Sequence, residues 1–330
     1  MKIYEKIINF IKKNYKTLII YILLIAIFTI NLPYYISAPG GLLDTSKKIK
    51  SDENFKLNGS LNMAYVTEIH ASIPTYLWSF IQKDWDLEKE KDAILENEKE
   101  EDVMKRNKML LTESNKVALL VAYSHSNVEY EVVNDKVFIS YIDKQAKTDL
   151  KIGDQILEVD GKKVVDKNYL MSYIKSKNVG DKVEFKVKGE KNKTATLIDV
   201  DGTPKVGAMI TEDFDVKSDK KVNFNFSSSE SGPSGGLMIT LALYSNLNKI
   251  DLTKGKKIAG TGTIDINGNV GEISGVKYKL IGAVNEKADV FLVPEGKNYK
   301  EAKKIKKERG YKIDIVPVET FEEALNYLNK

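Results

Sequence analysis

At 330 residues, with 42% apolar and 30% charged side chains, the chain has room for two domains with real cores and an appendage. Its 51 Lys and Arg against 47 Asp and Glu leave a net charge of +4, too small and too dispersed to point to nucleic-acid binding. No cysteine occurs, which excludes disulfide staples, thiol catalysis and cysteine-based metal sites.

Between Thr17 and Leu43 there is no charged residue, and Leu18 to Leu32 is almost wholly Leu, Ile, Ala, Phe and Tyr. Residues 17–36 match the roughly 20 residues that a helix needs to cross a bilayer. Lys2, Lys6, Lys12, Lys13 and Lys16 precede this run, and the next lysine is Lys47. That bias places residues 1–16 in the cytoplasm and the remainder outside, as in a single-pass protein of the cell membrane whose partner is the lipid bilayer. Tyr34 and Tyr35 fall where interfacial aromatics belong. A cleaved signal peptide ending at Ile36-Ser37-Ala38 is the rival reading, and the length of the apolar run favours an uncleaved anchor.

In residues 37–125, Leu61, Met63 and Tyr65 alternate as in a strand, and Ser72 to Gln82 reads as a helix carrying Trp78 and Phe80. Asp84 to Lys108 mixes both charge signs, with Glu96, Glu98, Glu100 and Glu101 among lysines, and reads as a solvated helix or connector. Met109 to Tyr123 looks helical, with Val117, Leu120 and Val121 on one face. His125 follows in a polar turn, where a surface or capping role outweighs a ligand role.

Residues 126–203 have a different texture. Val137 to Ile142 reads as a strand, Lys144 to Asp149 as a short helix, and Asp160-Gly161 as a two-residue hairpin turn. A short amphipathic helix from Asn168 to Lys175 carries Leu170 and Ile174. Val183, Phe185 and Val187 alternate, and Lys193 to Val200 gives a last strand. The stretch Leu150-Lys-Ile-Gly-Asp-Gln-Ile-Leu-Glu-Val-Asp-Gly161 resembles a PDZ domain of the circularly permuted bacterial kind. Such domains bind an extended peptide, often a C-terminus, between a sheet edge and a helix. The resemblance implies a groove between helix 168–175 and a strand near Val132 to Ile139, or else a structural spacer with a blocked groove.

Residues 204–330 hold the chemistry. Val222, Phe224 and Phe226 alternate, and Leu237 to Leu247 is an apolar helical run. Between them Gly232, Gly235 and Gly236 mark a sharp turn that brings Ser234 to a helix start, where free N–H groups favour a developing oxyanion. The plain alternative is an N-cap serine in a glycine-rich loop. A phosphate-binding loop is disfavoured, because Leu237-Met238 stand where Lys-Ser/Thr should follow. A nucleophilic serine needs a base. His70 and His125 lie in no recognisable triad, which leaves lysine. A helix after Gly275 carries Lys277 and Lys279, and its amphipathicity leans slightly toward Lys277. A lysine held in an apolar site loses hydration, and its pKa moves down toward neutrality.

Gly232-Pro-Ser-Gly-Gly-Leu237, Gly260-Thr-Gly-Thr-Ile264 and Ser274-Gly-Val-Lys-Tyr-Lys-Leu-Ile-Gly-Ala283, in that order, resemble the proteolytic domain of Lon proteases. With the anchor and the PDZ-like module, the chain resembles membrane-anchored PDZ–Lon proteases of the YlbL/SepM type. The resemblance implies Ser234 as nucleophile and Lys279 as general base, with Thr261, Gly232 and Gly235 in supporting roles. Ser231 stands where these proteins carry an acidic residue, and Gly235 replaces their usual alanine. The strands and helices from Asp289 onward, ending in a helix opened by a Thr320-Phe-Glu-Glu323 capping box, suit an α+β protein. In this class the PDZ module precedes or is inserted in an α/β proteolytic domain, and residues 36–125 should pack with 205–330.

The function implied is an ATP-independent serine endopeptidase acting on exported peptides or unfolded proteins, with no cofactor and no metal. A Gly-x4-Gly-Lys-Ser/Thr run does not occur in these residues. Lon proteolytic domains tend to form rings, so a homo-oligomer is an implied partner. The alternative function is a catalytically inactive, membrane-tethered PDZ adaptor, which the departures at Ser231 and Gly235 motivate.

Overall fold

The computed structural model describes residues 2–51, 55–95 and 98–330. Glu96 of the charged stretch lies outside the described residues. Two compact units are formed. The smaller comprises the chain up to Pro39 and Val66–Ala93, and the larger Gly40–Tyr65 and Ile94–Lys330.

In the smaller unit, helix α1 (Lys2–Thr29) is followed by the first part of strand β1 (Asn31–Asp44). The second part of β2 (Ser60–Ser72) leads into helix α2 (Ile73–Ser79), and β3 (Asp86–Lys89) pairs antiparallel with Tyr34–Ser37. The expected membrane helix 17–36 is corrected here. The helix ends at Thr29, and Ile36 and Ala38 are buried strand residues. The charge-free part of α1 is thus thirteen residues, about 20 Å at the helical rise, against a hydrocarbon core of about 30 Å. No helix among the described residues is long and apolar enough to cross a membrane. A continuous apolar run does not by itself distinguish helix from buried strand, and here it supplies both.

The larger unit contains the PDZ-like sheet. Strands β4 (Glu131–Ile142), β5 (Gln155–Val159), β6 (Lys182–Val187) and β7 (Lys193–Thr196) are joined by β8 (Ala208–Lys217) in the order β8-β4-β5-β6-β7. Helix α4 (Lys167–Lys175) covers the sheet through Leu170 and Ile174. Asp160 and Gly161 both have positive φ, as a type I′ hairpin turn requires. Two features differ from the sequence reading. Residues 144–149 form a turn and a two-residue strand, not a helix, with the Asp143 carboxylate accepting the Gln145 N–H at 2.8 Å. The sheet also extends beyond residue 203, because β8 pairs antiparallel with β4 along nearly its whole length.

The remainder of the unit is a layered α/β domain. A mainly parallel sheet runs in the order β11-β10-β9-β2-β1, where β9 is Lys257–Gly260, β10 Val290–Pro294 and β11 Asp314–Val318. Strand β10 is buried at every residue because both sheet faces are covered. Val290 and Leu292 join Leu61, Met63 and Ile258 beneath helices α3 (Glu100–His125), α5 (Gly236–Asn248) and α8 (Phe321–Asn329). Phe291 and Val293 point the other way, to Val276, Leu280 and Ala283 of α6 (Val276–Asn285) and Ala302 of α7 (Lys297–Arg309). Residues 40–65 and 94–125, on the far side of the PDZ module in sequence, thus share one core with 236–328. The charged stretch is less solvated than its composition implies: Glu98 is buried and held by Arg106 through two bonds of 2.6 and 2.9 Å.

Candidate active site

Ser234 lies in the tight turn before α5. The chain bends at Gly232, whose φ of +89° favours glycine, and open space lies where its Cβ would project. Gly235 caps the helix, and a Cβ there would meet Met63 Sδ at 2.6 Å. Glycine at this position is therefore matched by methionine on β2, a pairing that the local sequence around Ser234 does not reveal. The helix start is also less open than expected. The Gly236 N–H donates to Pro233 O at 3.2 Å and the Leu237 N–H to Gly262 O at 3.1 Å, so these two donors are already engaged.

Lys279 is 4% exposed, on a face of α6 shared with Val276, Leu280 and Ala283, the i, i+4, i+7 positions of a buried stripe. Lys277 is half-buried, its Nζ 5.2 Å from the centroid of the Tyr278 ring. The slight lean of amphipathicity toward Lys277 is therefore corrected. Gly275, at φ +72°, is the N-cap of the helix.

Thr261 joins the two segments. It follows β9, is fully buried, and has its N–H bonded to Leu292 O at 3.0 Å. Its Oγ1 accepts from Lys279 Nζ at 3.2 Å and donates to the Ser234 carbonyl at 3.1 Å. The Gly262 N–H donates to the same carbonyl at 2.8 Å. One hydroxyl therefore stands between the lysine amine and the serine main chain. His70 sits in the smaller unit with its ring 4.1 Å from that of Tyr35, and His125 ends α3 against Phe321 at 4.9 Å.

Two residues of α3 complete the setting: the Gly232 N–H donates to Asn107 O and Ser114 Oγ to Pro233 O, both at 3.0 Å. Neither was legible in the sequence, since each occupies a polar position of a charged helix. Among the described residues there is no group of three His, Asp or Glu that would hold a metal ion.

In the PDZ-like module, β4 is bonded to β8 along one edge and, at Val137 and Phe138, to β5 on the other, so the far end of the expected groove strand near 132–139 is paired on both edges. The sheet ends at β8 instead, beside α4, where Glu212 accepts the Lys167 N–H. Burial pushes the Glu212 carboxyl above the usual range, partly offset by that bond. Asp135 on β4 is raised likewise, by burial first and then by Asp166.

Ser234 at a glycine-bent turn, Thr261 and the buried Lys279 thus form one bonded cluster in an α/β domain whose chain also carries a PDZ-like sheet. Comparison with known families agrees. Residues 211–329 match the Lon protease (S16) C-terminal proteolytic domain, and residues 125–200 match a PDZ domain. The Lon protease of Trichlorobacter lovleyi is 37% identical over 94 residues, 28% of this chain and 11% of that protein. The Lon protease of Campylobacter jejuni is 29% identical over 182 residues, 53% of this chain and 22% of that protein. The chain thus spans less than a quarter of the length of these relatives. The PDZ domain of the SdrC-like protein of Listeria innocua is 34% identical and covers 23% of this chain and 92% of that structure, with a TM-score of 0.21. Residues 125–200 are thus similar to a PDZ domain and residues 211–329 to a Lon-type proteolytic domain.

Proposed function

We propose that the protein is a membrane-anchored, ATP-independent endopeptidase with a Ser234–Lys279 dyad, of the PDZ–Lon kind typified by YlbL/SepM. The observation that carries this reading is the Thr261 hydroxyl, bonded to Lys279 Nζ on one side and to Ser234 O on the other. Ser234 Oγ attacks the scissile carbonyl as its proton passes to the neutral Lys279 amine. Collapse of the tetrahedral intermediate breaks the C–N bond, and Lys279 returns the proton to the leaving amine. Water then attacks the acyl-serine, again losing a proton to Lys279, which reprotonates Ser234 as the product acid leaves. Thr261 orients the amine and fixes the main chain that carries the nucleophile.

Substrates are flexible peptides or unfolded proteins, presented to the PDZ domain as an added strand on β8 beside α4. Support for membrane attachment comes from the exposed apolar side chains of Ile19–Phe28 in α1 and the lysines before them. An outer location of the catalytic region is part of the same proposal and rests on that charge bias alone. The alternative, a catalytically inactive PDZ adaptor, rests on the departures at Ser231 and Gly235, and a cleavage assay distinguishes it, since an adaptor binds without releasing fragments.

In an assay of unfolded casein cleavage, Ser234→Ala and Lys279→Ala each abolish fragment release while leaving the thermal unfolding midpoint near that of the parent. Full activity of Ser234→Ala refutes the mechanism.

A further inference from the structure

At its Gly232–Pro233 end, the turn that carries Ser234 is held by hydrogen bonds. Gly232 has open space on its Cβ side, and Pro233, lacking an N–H, has only its carbonyl to offer the backbone network. That carbonyl accepts from Ser114 Oγ, a buried hydroxyl on α3, as well as from the Gly236 N–H. Two turns earlier on the same face of α3, Asn107 O accepts the Gly232 N–H. The residue beside Ser114 faces the PDZ domain. Glu113 accepts from Thr211 Oγ1 of β8 at 2.6 Å and from Lys167 Nζ of α4 at 2.9 Å. Thr211 is 1% exposed, so its bond to Glu113 is shielded from water.

We propose that Ser114 is a positioning residue for Ser234, and that Glu113 ties this positioning to the two PDZ elements that border the peptide groove. The proposal rests on the Ser234 dyad reading and extends it. Neither residue touches the reacting atoms. Ser114 fixes the peptide unit immediately before the nucleophile, and the Glu113 carboxylate fixes α3 against β8 and α4. A peptide laid along β8 therefore meets the same strand that holds the brace.

The test is steady-state cleavage of unfolded casein by the full chain. Ser114→Ala lowers kcat by roughly tenfold to a hundredfold, the scale set by small displacements of a reacting group. KM moves less than about threefold, because substrate contacts remain. Thr211→Val, which removes the hydroxyl while keeping the volume, also lowers kcat, and Ser114→Ala/Thr211→Val is no slower than Ser114→Ala alone, since both act through one route. Wild-type kcat in Ser114→Ala, or multiplicative losses in the double variant, overturns the proposal. Ser234→Ala, run alongside, separates the two failures: residual activity there sinks the dyad itself, whereas its inactivity with an unimpaired Ser114→Ala sinks only the brace.

Discussion

Replacing Thr261 by valine probes the site most directly. The substitution keeps the volume of a fully buried side chain and removes its hydroxyl, and with it the 3.2 Å bond from Lys279 and the 3.1 Å bond to the Ser234 carbonyl. The carbonyl keeps its bond from the Gly262 N–H, so the turn is loosened and not released. Each hydrogen bond of this kind is worth about 1 kcal/mol net. If both are fully expressed in the transition state, the loss is about 2 kcal/mol, or about thirtyfold in kcat. Thr261→Ser retains the hydroxyl and sheds one methyl, so it should keep kcat within about threefold while lowering stability by about 1 kcal/mol. Initial rates on a quenched-fluorescence unfolded substrate, with urea midpoints measured alongside, separate the two effects. A Thr261→Val enzyme as fast as the parent, with an unchanged midpoint, would show that the hydroxyl neither positions nor stabilises the pair.

Gly235→Ala brings a Cβ to within 2.6 Å of Met63 Sδ and should cost about 1–3 kcal/mol by overpacking, read as a drop in thermal midpoint. Met63→Ala should relieve part of that cost, so a double variant whose loss equals or exceeds the sum of the single losses speaks against the pairing. Asp135→Asn tests the buried carboxyl on β4. Its carboxyl is raised above 3.8, chiefly by burial, and Oδ1 has no hydrogen-bond partner. The folded state thus holds this proton more tightly than the unfolded state, so the group destabilises increasingly as pH rises through the folded value. The variant should have a higher urea midpoint than the parent at pH 7.5, with the gap closing below about pH 4. A lower midpoint at pH 7.5 contradicts this account.

The readable parts of the sequence were those in which local pattern and tertiary role coincide. Glycine punctuation around Ser234 and the apolar run after it specify the turn and α5 whatever surrounds them. Asp160-Gly161 specifies a hairpin in the same way. The unreadable parts depend on partners distant along the chain. That β4 gains β8 as a neighbour is not legible, because β8 lies about 70 residues after its mate and no local signal tells an edge strand from an interior one. The span 17–36 was misread because Asn31–Ile36 is apolar for the sake of a sheet, not a bilayer. Lys279 was chosen over Lys277 only by family likeness. In the fold the two differ in burial, Lys279 being enclosed and Lys277 half-buried. Asn107 and Ser114 gave no signal, since a polar residue on a charged helix ordinarily faces water.

Around Ser234, two backbone segments trade bonds in both directions: Gly262 N–H to Ser234 O, and Leu237 N–H to Gly262 O. Because these anchors are peptide groups and not side chains, most exchanges of nearby residues leave them standing. The main-chain position of Ser234 is therefore insulated from exchanges of most neighbouring side chains, which leaves the surface around it free to vary.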